Sequence, residues 1–426
     1  MIGHSRSGSA LAPPETDRRH HATDVLDRWA LEALRRQVGD VPVRVRLASG
    51  AELAPAHPPA LATVTIGRRS TLTHLLRNPD IAFGEAFVAG DLDVDGDLVA
   101  LLEAVYRTQE RTAVPRPHHG SPSHSRKEAR SQIHQHYDVG NEFFRLWLDR
   151  QLIYTCAYFP LPGATLEEAQ VAKMDLVCRK LRLRPGEHVV EAGCGWGALA
   201  LHMARERGVT VTACNISHEQ IAYARDRAAR EGLAGRVTFI EDDYRAIRES
   251  ADVFVSVGML EHVGLADYPT LGAAIRRVLG DGRGRGLLHF IGRARPQALN
   301  PWITGRIFPG AYPPTLNEAI GGVLEPEDLA VLDVENLRLH YAATLDHWRR
   351  RYLRAADEVR RMFGAPFERA WRLYLSGAQA AFMAGSLQLF QVVFAPAGKN
   401  TVPWTRETVD GAKGSGAYGG GGEARW

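Results

Sequence analysis

Long apolar runs are missing from this sequence, since no uninterrupted stretch approaches the roughly 18–20 residues that span a bilayer. The first residues, M-I-G-H-S-R-S-G, contain no apolar core of the kind that marks a secretory signal, so none is expected. Cysteine is scarce and forms no C-x-x-C pair, which argues against a zinc site or a disulfide framework; the four are Cys156, Cys178, Cys194 and Cys214. We therefore expect a cytoplasmic protein without a metal site, whose contact with a membrane is peripheral.

Lysine is almost absent, because only five of the 52 basic residues are lysine. Arginine binds phosphate in a planar, bidentate manner, so a phospholipid surface is one interpretation, and a coding bias toward arginine is another. The net charge of only +3 does not favour a nucleic-acid partner. Hydrophobic residues make up 45% of the 426 positions, which is typical of a globular protein long enough for two domains.

Composition and periodicity divide the chain into five predicted segments: a disordered N-terminus at 1–23, a small α+β domain at 24–112, a linker at 113–130, a larger domain at 131–400 and a flexible tail at 401–426. In the small domain we predict helices at 24–38, 70–77 and 98–108 and strands at 43–47 and 62–66. The segment D-L-D-V-D-G-D at 91–97 resembles the start of an EF-hand loop, but the closing glutamate comes one residue late. We therefore predict a solvated acidic turn there.

In the larger domain, apolar strand patterns alternate with helical patterns. The predicted strands are 188–192, 210–214, 236–240, 252–257 and 286–291, and the predicted helices are 199–206, 219–231 and 269–279. A later helix is predicted from apolar residues at 3.6-residue spacing, namely Tyr341, Leu345, Trp348, Tyr352 and Val359, and a closing strand at 388–394. This alternation predicts an α/β fold with a doubly wound, mostly parallel sheet.

The segment V-V-E-A-G-C-G-W-G at 189–197 is the strongest local motif. It predicts a strand that breaks into a tight turn at Gly193, Gly195 and Gly197 and then opens a helix, whose N-terminal N–H groups face a ligand. The spacing is G-x-G-x-G and not the G-x-G-x-x-G of dinucleotide-binding folds. The turn resembles motif I of class I S-adenosylmethionine-dependent methyltransferases; a structural turn without a ligand is the alternative.

Polar residues follow the next two predicted strands. In an open α/β sheet a ligand binds beyond the carboxyl ends of the strands. Asn215 and Gln220 are therefore the candidates for the ribose hydroxyls, and Asp243 and Tyr244 are the candidates for the adenine. Asn215 together with Ser217 also fits a helix N-cap, and both roles are compatible.

Two further strand ends carry unexpected polar groups. Glu261 and His262 follow the fourth strand, and His289 lies within the apolar fifth strand. A lone buried histidine is more often a hydrogen-bonded core residue than a catalyst. A carboxylate and an imidazole that converge beside a cofactor crevice nevertheless favour a functional site.

With these residues in view, the chain resembles the cyclopropane-fatty-acyl-phospholipid synthase family, which is related to the mycolic acid methyltransferases. The matching segments occur in order: H-Y-D-V-G-N-E-F-F at 136–144, Y-T-C-A-Y-F at 154–159, E-A-G-C-G-W-G at 191–197, G-M-L-E-H-V-G at 258–264, L-H-F-I-G at 288–292, I-F-P-G-A-Y at 307–312 and E-N-L-R-L-H-Y at 335–341. The segment at 83–98 is similar to the leader domain of the longer bacterial synthases. The resemblance implies a class I methyltransferase, Rossmann-like fold.

The resemblance also implies a reaction. A methyl group passes from S-adenosylmethionine to the cis double bond of an unsaturated acyl chain in a membrane phospholipid. The resulting carbocation needs an apolar, water-excluding channel. Bound bicarbonate is implied as the base that removes a proton so that a cyclopropane ring closes.

By motif, five residues would be catalytic and would hold the bicarbonate: Glu261, His289 and Tyr341 through their side chains, and Cys156 and Ile291 through backbone groups. Cys156 would then not act as a nucleophile. Tyr154 and Thr155 would contact the cofactor, and Thr155 stands where the family usually has serine. Tyr341 also opens an apolar helix stripe and fits a core position.

Three alternatives remain open. The same cation gives a methylene- or methyl-branched chain if a different proton leaves. A small-molecule N- or O-methyltransferase would not need Glu261, His289 and Tyr341 together, and a non-catalytic lipid-binding protein would not bind S-adenosylmethionine. For the small N-terminal domain we expect a role in docking on the inner face of the cell membrane or in forming a homodimer.

Overall fold

A computed structural model describes residues 15–55, 57–112, 139–280, 284–398 and 406. The predicted linker, residues 1–14 of the predicted disordered N-terminus and all of the predicted tail except Arg406 lie outside the described residues. The chain forms two compact units, one from residues 1–113 with 360–380 and the other from 114–359 with 381–426. The sequence-based domain boundaries did not include 360–380 in the smaller unit. In the described part of the chain, no helix is both long and apolar enough to cross a membrane.

The smaller unit contains a four-stranded sheet. Its strands are β1 (Val43–Leu47), β2 (Glu52–Leu53), β3 (Ala62–Ile66) and β4 (Leu92–Gly96), in the order β2-β1-β3-β4. The helices are α1 (Glu15–Val38), α2 (Arg69–Arg77), α3 (Pro79–Ala89) and α4 (Leu98–Thr112). Strand β1 pairs in parallel with β3, and the other two pairings are antiparallel.

Two local predictions for this unit are wrong. The acidic segment forms β4 and not a turn, because Leu92 and Val94 are buried while Asp93 and Asp95 point to solvent. That alternation is the two-residue period of a half-buried strand. Helix α1 begins at Glu15, so the helix starts earlier than predicted and the predicted disorder does not extend over residues 15–23.

The larger unit is organised around a seven-stranded sheet. Its strands are β5 (His188–Ala192), β6 (Thr210–Asn215), β7 (Val237–Glu241), β8 (Val253–Val257), β9 (Arg285–Gly292), β10 (Leu329–Asn336) and β11 (Gln388–Pro396), in the order β10-β11-β9-β8-β5-β6-β7. Pairings among β5 to β9 are parallel, and β11 is antiparallel to both neighbours. The predicted doubly wound, mostly parallel α/β sheet is confirmed, and all five predicted parallel strands lie within one residue of their observed bounds.

The remaining α-helices are α5 (Asn141–Arg145), α6 (Leu166–Lys180), α7 (Ala198–Arg207), α8 (His218–Arg230), α9 (Tyr268–Leu279), α10 (Pro301–Arg306), α11 (Leu316–Ala319), α12 (Arg338–Arg354), α13 (Ala356–Phe363) and α14 (Ala365–Ala384). Helix α12 ends at Arg354, so the prediction that Val359 continues the same helix is wrong. Helix α6 begins with a capping box, in which Thr165 and Glu168 satisfy each other's backbone N–H groups.

The central strands are buried on both faces, as expected for a parallel sheet between helix layers. Val189 on β5 packs with Met174 of α6 and Leu201 of α7 in one apolar core. Its neighbour Val190 packs with Leu271 of α9 in a second core on the opposite face. This arrangement leaves the carboxyl ends of β5 to β8 as the edge where a ligand site can form.

Candidate active site

The glycine turn after β5 is held against the end of β6. The backbone N–H groups of Gly193 and Cys194 donate to the carbonyl oxygen of Cys214 at 2.9 and 3.1 Å. Gly193 and Gly195 have φ values of +80° and +53°, a region that glycine adopts most easily. A Cβ added to Gly195 would meet no atom within 4 Å, so this part of the turn presents bare backbone to open space.

Gly197, also predicted to bind the cofactor, lies close to neighbouring side chains. It is not among the residues that line the cofactor-sized pocket described next. A Cβ at Gly197 would lie 2.6 Å from Cζ of Phe239 and 2.9 Å from Cβ of Ala224. This glycine therefore permits close packing at the start of α7.

A pocket of about 1120 Å³, which includes space open to solvent, lies at the carboxyl edge of the sheet. Eight of the nine residues predicted to bind the cofactor line it: Tyr154, Thr155, Gly193, Gly195, Asn215, Gln220, Asp243 and Tyr244. Lys173 and Glu191 also line it, although sequence reasoning assigned neither a role.

Asn215 and Gln220 meet directly in the pocket. Nδ2 of Asn215 donates to Oε1 of Gln220 at 2.6 Å, and both residues are buried. The N-cap of α8 is Ser217, whose side chain accepts from the Gln220 N–H. Asn215 is therefore not the cap residue, and its amide lies at the end of β6 where the ribose was expected.

Asp243 and Tyr244 lie at the β7 side of the pocket. Oδ1 of Asp243 accepts from the backbone N–H of Arg245 at 2.9 Å and caps a short 3₁₀ turn. The Arg245 guanidinium lies 3.2 Å from the same carboxylate and 5.2 Å from the centre of the Tyr244 ring. Burial raises the pKa of Tyr244 to about 12, so its hydroxyl remains a neutral donor.

At the other side, helix α6 holds the Tyr154–Thr155 segment. Nε2 of Gln170 donates to the carbonyl oxygen of Thr155 at 2.9 Å, and Nζ of Lys173 donates to its hydroxyl at 3.0 Å. Burial lowers the pKa of Lys173 to about 8 and raises the pKa of Glu191 to about 8. The scarcity of lysine in this chain is the sequence signal that could have drawn attention to Lys173.

Glu261 does not line this pocket but forms a second polar site with the backbone of β9. The backbone N–H of Ile291 donates to Oε1 of Glu261, while Oε2 of Glu261 is buried and has no hydrogen-bond partner among the described residues. Burial raises the pKa of Glu261 to about 7, and the Ile291 N–H offsets part of this effect. The carboxyl group therefore changes its charge near neutral pH.

His289 is oriented by the neighbouring strand β11. The amide N–H of Gln391 lies 3.0 Å from Nδ1 of His289, which makes Nδ1 the acceptor and leaves the ring proton on Nε2. Nε2 is buried, and the part of the chain that the structure describes contains no hydrogen-bond partner for it. Burial lowers the pKa of His289, so the ring is neutral.

A series of contacts through Leu337 and Leu389 connects Cys156 and Tyr341 to Ile291. Sγ of Cys156 lies 3.9 Å from the carbonyl oxygen of Leu337, and the same oxygen accepts from the Tyr341 N–H at 3.1 Å. Leu337 in turn donates to Leu389 on β11, the residue paired with Ile291. Burial raises the pKa of the Cys156 thiol, which argues against a thiolate nucleophile.

Tyr341 is 7% exposed and packs among aromatic rings. Its ring centre lies 4.5 Å from that of Phe382 and 5.9 Å from that of Trp348, which in turn lies 5.2 Å from Tyr154. This packing also fits the core position that the helix stripe indicated.

None of the five predicted catalytic residues lines the cofactor pocket, but the pocket residue Gly258 donates to the His289 carbonyl oxygen at 2.8 Å.

Comparison with known proteins gives the family. A family model described as mycolic acid cyclopropane synthetase matches residues 124–392, and a domain of unknown function matches residues 31–115. The chain is 34% identical to a probable fatty acid methyltransferase of Pseudomonas putida, over 87% of this chain and 96% of that protein. It is 40% identical to the cyclopropane-fatty-acyl-phospholipid synthase of Escherichia coli K12, over 63% of this chain and 69% of that protein.

The fold agrees with this assignment. The crystal structure of the mycolic acid cyclopropane synthase CmaA1 complexed with SAH and CTAB is similar with a TM-score of 0.59 and 28% identity, covering 62% of this chain and 98% of that one. The predicted family resemblance is therefore confirmed, with S-adenosylmethionine as the methyl donor. The chain belongs to the mycolic acid cyclopropane synthetase family and is an S-adenosylmethionine-dependent methyltransferase of the cyclopropane-fatty-acyl-phospholipid synthase type.

Proposed function

We propose that the protein converts the cis double bond of a phospholipid-bound unsaturated acyl chain into a cyclopropane ring, with bicarbonate as the base. The observation that carries this proposal is a pair of buried atoms without a hydrogen-bond partner among the described residues, Oε2 of Glu261 in the turn after β8 and Nε2 of His289 within β9. The backbone of His289 is bonded to the pocket residue Gly258. A small-molecule N- or O-methyltransferase has no use for such a pair.

Bicarbonate fits the donors and acceptors of this group. It carries one O–H that donates and two oxygens that accept, while Glu261 offers an acceptor and His289 offers the Nε2 proton. Buried polar groups are rarely left unpaired in proteins, so a small polar anion accounts for these atoms.

S-adenosylmethionine and bicarbonate supply the reacting groups, and the side chains of the protein orient these groups and shield them from water. When bound, S-adenosylmethionine provides an electrophilic methyl group and bicarbonate provides a proton acceptor. The rings of Tyr154, Trp348 and Tyr341 contact one another in series, and Tyr154 lines the cofactor pocket. Such aromatic packing helps to exclude water from a developing cation. Gln391 holds His289 in one tautomer, and Glu261 orients the base through its ionised carboxylate.

A second candidate product is a methylene- or methyl-branched chain. Similarity to the probable fatty acid methyltransferase of P. putida, which covers 96% of that protein, favours it. Both products follow from the same cation and differ in which proton leaves.

Lipid analysis decides between these products. We expect phospholipids from a bacterial host that expresses the chain to gain one carbon per modified acyl chain and to show cyclopropane methylene resonances in proton NMR. A host that expresses the Glu261→Gln variant is the matched control. A one-carbon gain without those resonances would establish the branched product instead, and no gain in any acyl chain would contradict both.

We also propose that helix α1 brings the enzyme to the bilayer that holds its lipid substrate. Val25, Leu26 and Trp29 are 67%, 64% and 68% exposed on one helix, and the side chain of Arg36 is 75% exposed on the same helix. Tryptophan and aliphatic side chains partition into the membrane interface, and nearby arginine favours anionic headgroups. The expected occupant of this face is therefore an anionic phospholipid surface.

Vesicle sedimentation tests this contact. The double variant Leu26→Ser and Trp29→Ser should bind vesicles of anionic phospholipid about tenfold more weakly, because two apolar side chains no longer leave water. Leu353→Ser, at a residue that is 38% exposed in the larger unit, should bind like the unchanged protein. Unchanged vesicle binding together with loss of a dimer in analytical ultracentrifugation would assign the face to a homodimer and overturn the membrane proposal.

A further inference from the structure

Lys173 is buried without an anionic hydrogen-bond partner. It is 2% exposed, and its Nζ donates to the neutral hydroxyl of Thr155 at 3.0 Å; that is its only ion pair or hydrogen bond found among the described residues. The carboxyl groups of Asp149 and Glu191 influence it electrostatically without forming a salt bridge. Burying an ammonium group in this way is unfavourable unless the charge has a use.

Lys180 on the same helix shows the contrasting arrangement. Its side chain is also fully buried, but Nζ lies 2.5 Å from Oε2 of Glu335 and 3.8 Å from Oδ2 of Asp333. The burial of Lys180 is therefore explained by ion pairs with β10. Lys173 has no such pair, and its ammonium group lies in the wall of the cofactor pocket.

The position of Lys173 in the pocket indicates which part of the cofactor it meets. Polar groups for the nucleoside lie at the β6 and β7 ends, where Asn215 and Asp243 are found. Lys173 lies on the opposite side with Thr155, which is next to Gly258 at the end of β8. Arg245, the other pocket residue with a strongly basic side chain, is already paired with Asp243 at 3.2 Å.

We propose that Lys173 binds the carboxylate of the methionine moiety of S-adenosylmethionine and that Thr155, held by the same ammonium group, completes this contact. A cofactor carboxylate supplies the anion that the buried ammonium lacks. The pKa of Lys173, lowered by burial to about 8, keeps the side chain mostly protonated at neutral pH. The proposal depends on S-adenosylmethionine as the donor and not on which lipid product forms.

Calorimetric titration with two ligands tests the contact. S-adenosylhomocysteine carries the amino-acid carboxylate, whereas 5′-methylthioadenosine has the same nucleoside and thioether but no amino-acid group. Lys173→Met should weaken S-adenosylhomocysteine binding about thirtyfold, as expected when one member of a buried charge pair is removed. Its affinity for 5′-methylthioadenosine should stay unchanged, because that ligand never reaches Lys173.

Lys180→Met is the matched control and should change neither affinity. Equal weakening of both ligands by Lys173→Met would indicate a purely structural role and overturn the proposal, as would unchanged S-adenosylhomocysteine binding. A test that changes the ligand instead of the protein does not depend on whether a variant folds. The unchanged protein should bind the carboxamide of S-adenosylhomocysteine about thirtyfold more weakly than the acid, and equal affinities would also overturn the proposal.

Discussion

Glu261→Gln should lower kcat for lipid methylation by about a hundredfold or more, while the Kd for S-adenosylhomocysteine stays the same. The substitution keeps the shape of the side chain but replaces the acceptor Oε2 or Oε1 with an amide nitrogen that donates. The Ile291 N–H and the proposed bicarbonate O–H both require an acceptor there. Transfer of a labelled methyl group to phospholipid vesicles measures kcat, and calorimetry measures the Kd.

Glu325→Gln is the control, since Glu325 is exposed and far along the chain from the pocket residues. The pH profile provides a further check. Because burial raises the pKa of Glu261 to about 7, the ionised acceptor forms as the pH rises through that value, so kcat should rise with it. If the Glu261→Gln variant keeps most of its activity, Glu261 has no role in the mechanism, and methyl transfer onto a nitrogen or oxygen is favoured.

Removal of bicarbonate should lower kcat by about a hundredfold, the typical contribution of a positioned base. His289 and Cys156 are poorly suited to replace it as the base, because His289 donates through Nε2 and burial raises the pKa of the Cys156 thiol. The measurement is the labelled-methyl assay in buffer freed of carbon dioxide, followed by addition of bicarbonate to restore the rate.

Chloride added at the same ionic strength is the control and should restore nothing. The Kd for S-adenosylhomocysteine should not depend on bicarbonate, since the cofactor pocket is lined by a different set of residues. A rate that persists after removal, with carbonate no longer detectable in the protein, would show that a side chain acts as the base.

The parallel strands could be predicted closely because their sequences are almost continuously apolar and end at polar or glycine residues. Strand β10 could not be predicted in this way. Most of its residues are half-exposed or exposed, and its sequence L-A-V-L-D-V-E-N contains two acidic residues. No local sequence pattern indicates that residues 360–380 belong to the smaller unit. Their place in this unit depends on contacts such as that of Arg369 with the carbonyl oxygen of Leu92, 277 positions apart.

Candidate site residues at strand ends were predictable for a related reason, because the carboxyl ends of parallel strands share one edge of the sheet. Lys173 was missed, since it lies within a helix and reaches the pocket only through the packing of α6. The spacing of the glycines could not indicate that Gly197 lies against Phe239 and does not line the pocket.

The hydrogen bond between Gln391 and His289 joins residues 102 positions apart. All residues that line the cofactor pocket lie between Leu152 and Val263, so a ribosome finishes them well before it reaches β11. The imidazole acquires its orienting partner only after β11 has been synthesised. During translation the residues that line the pocket are thus all present before Gln391, which orients His289 in the proposed bicarbonate site.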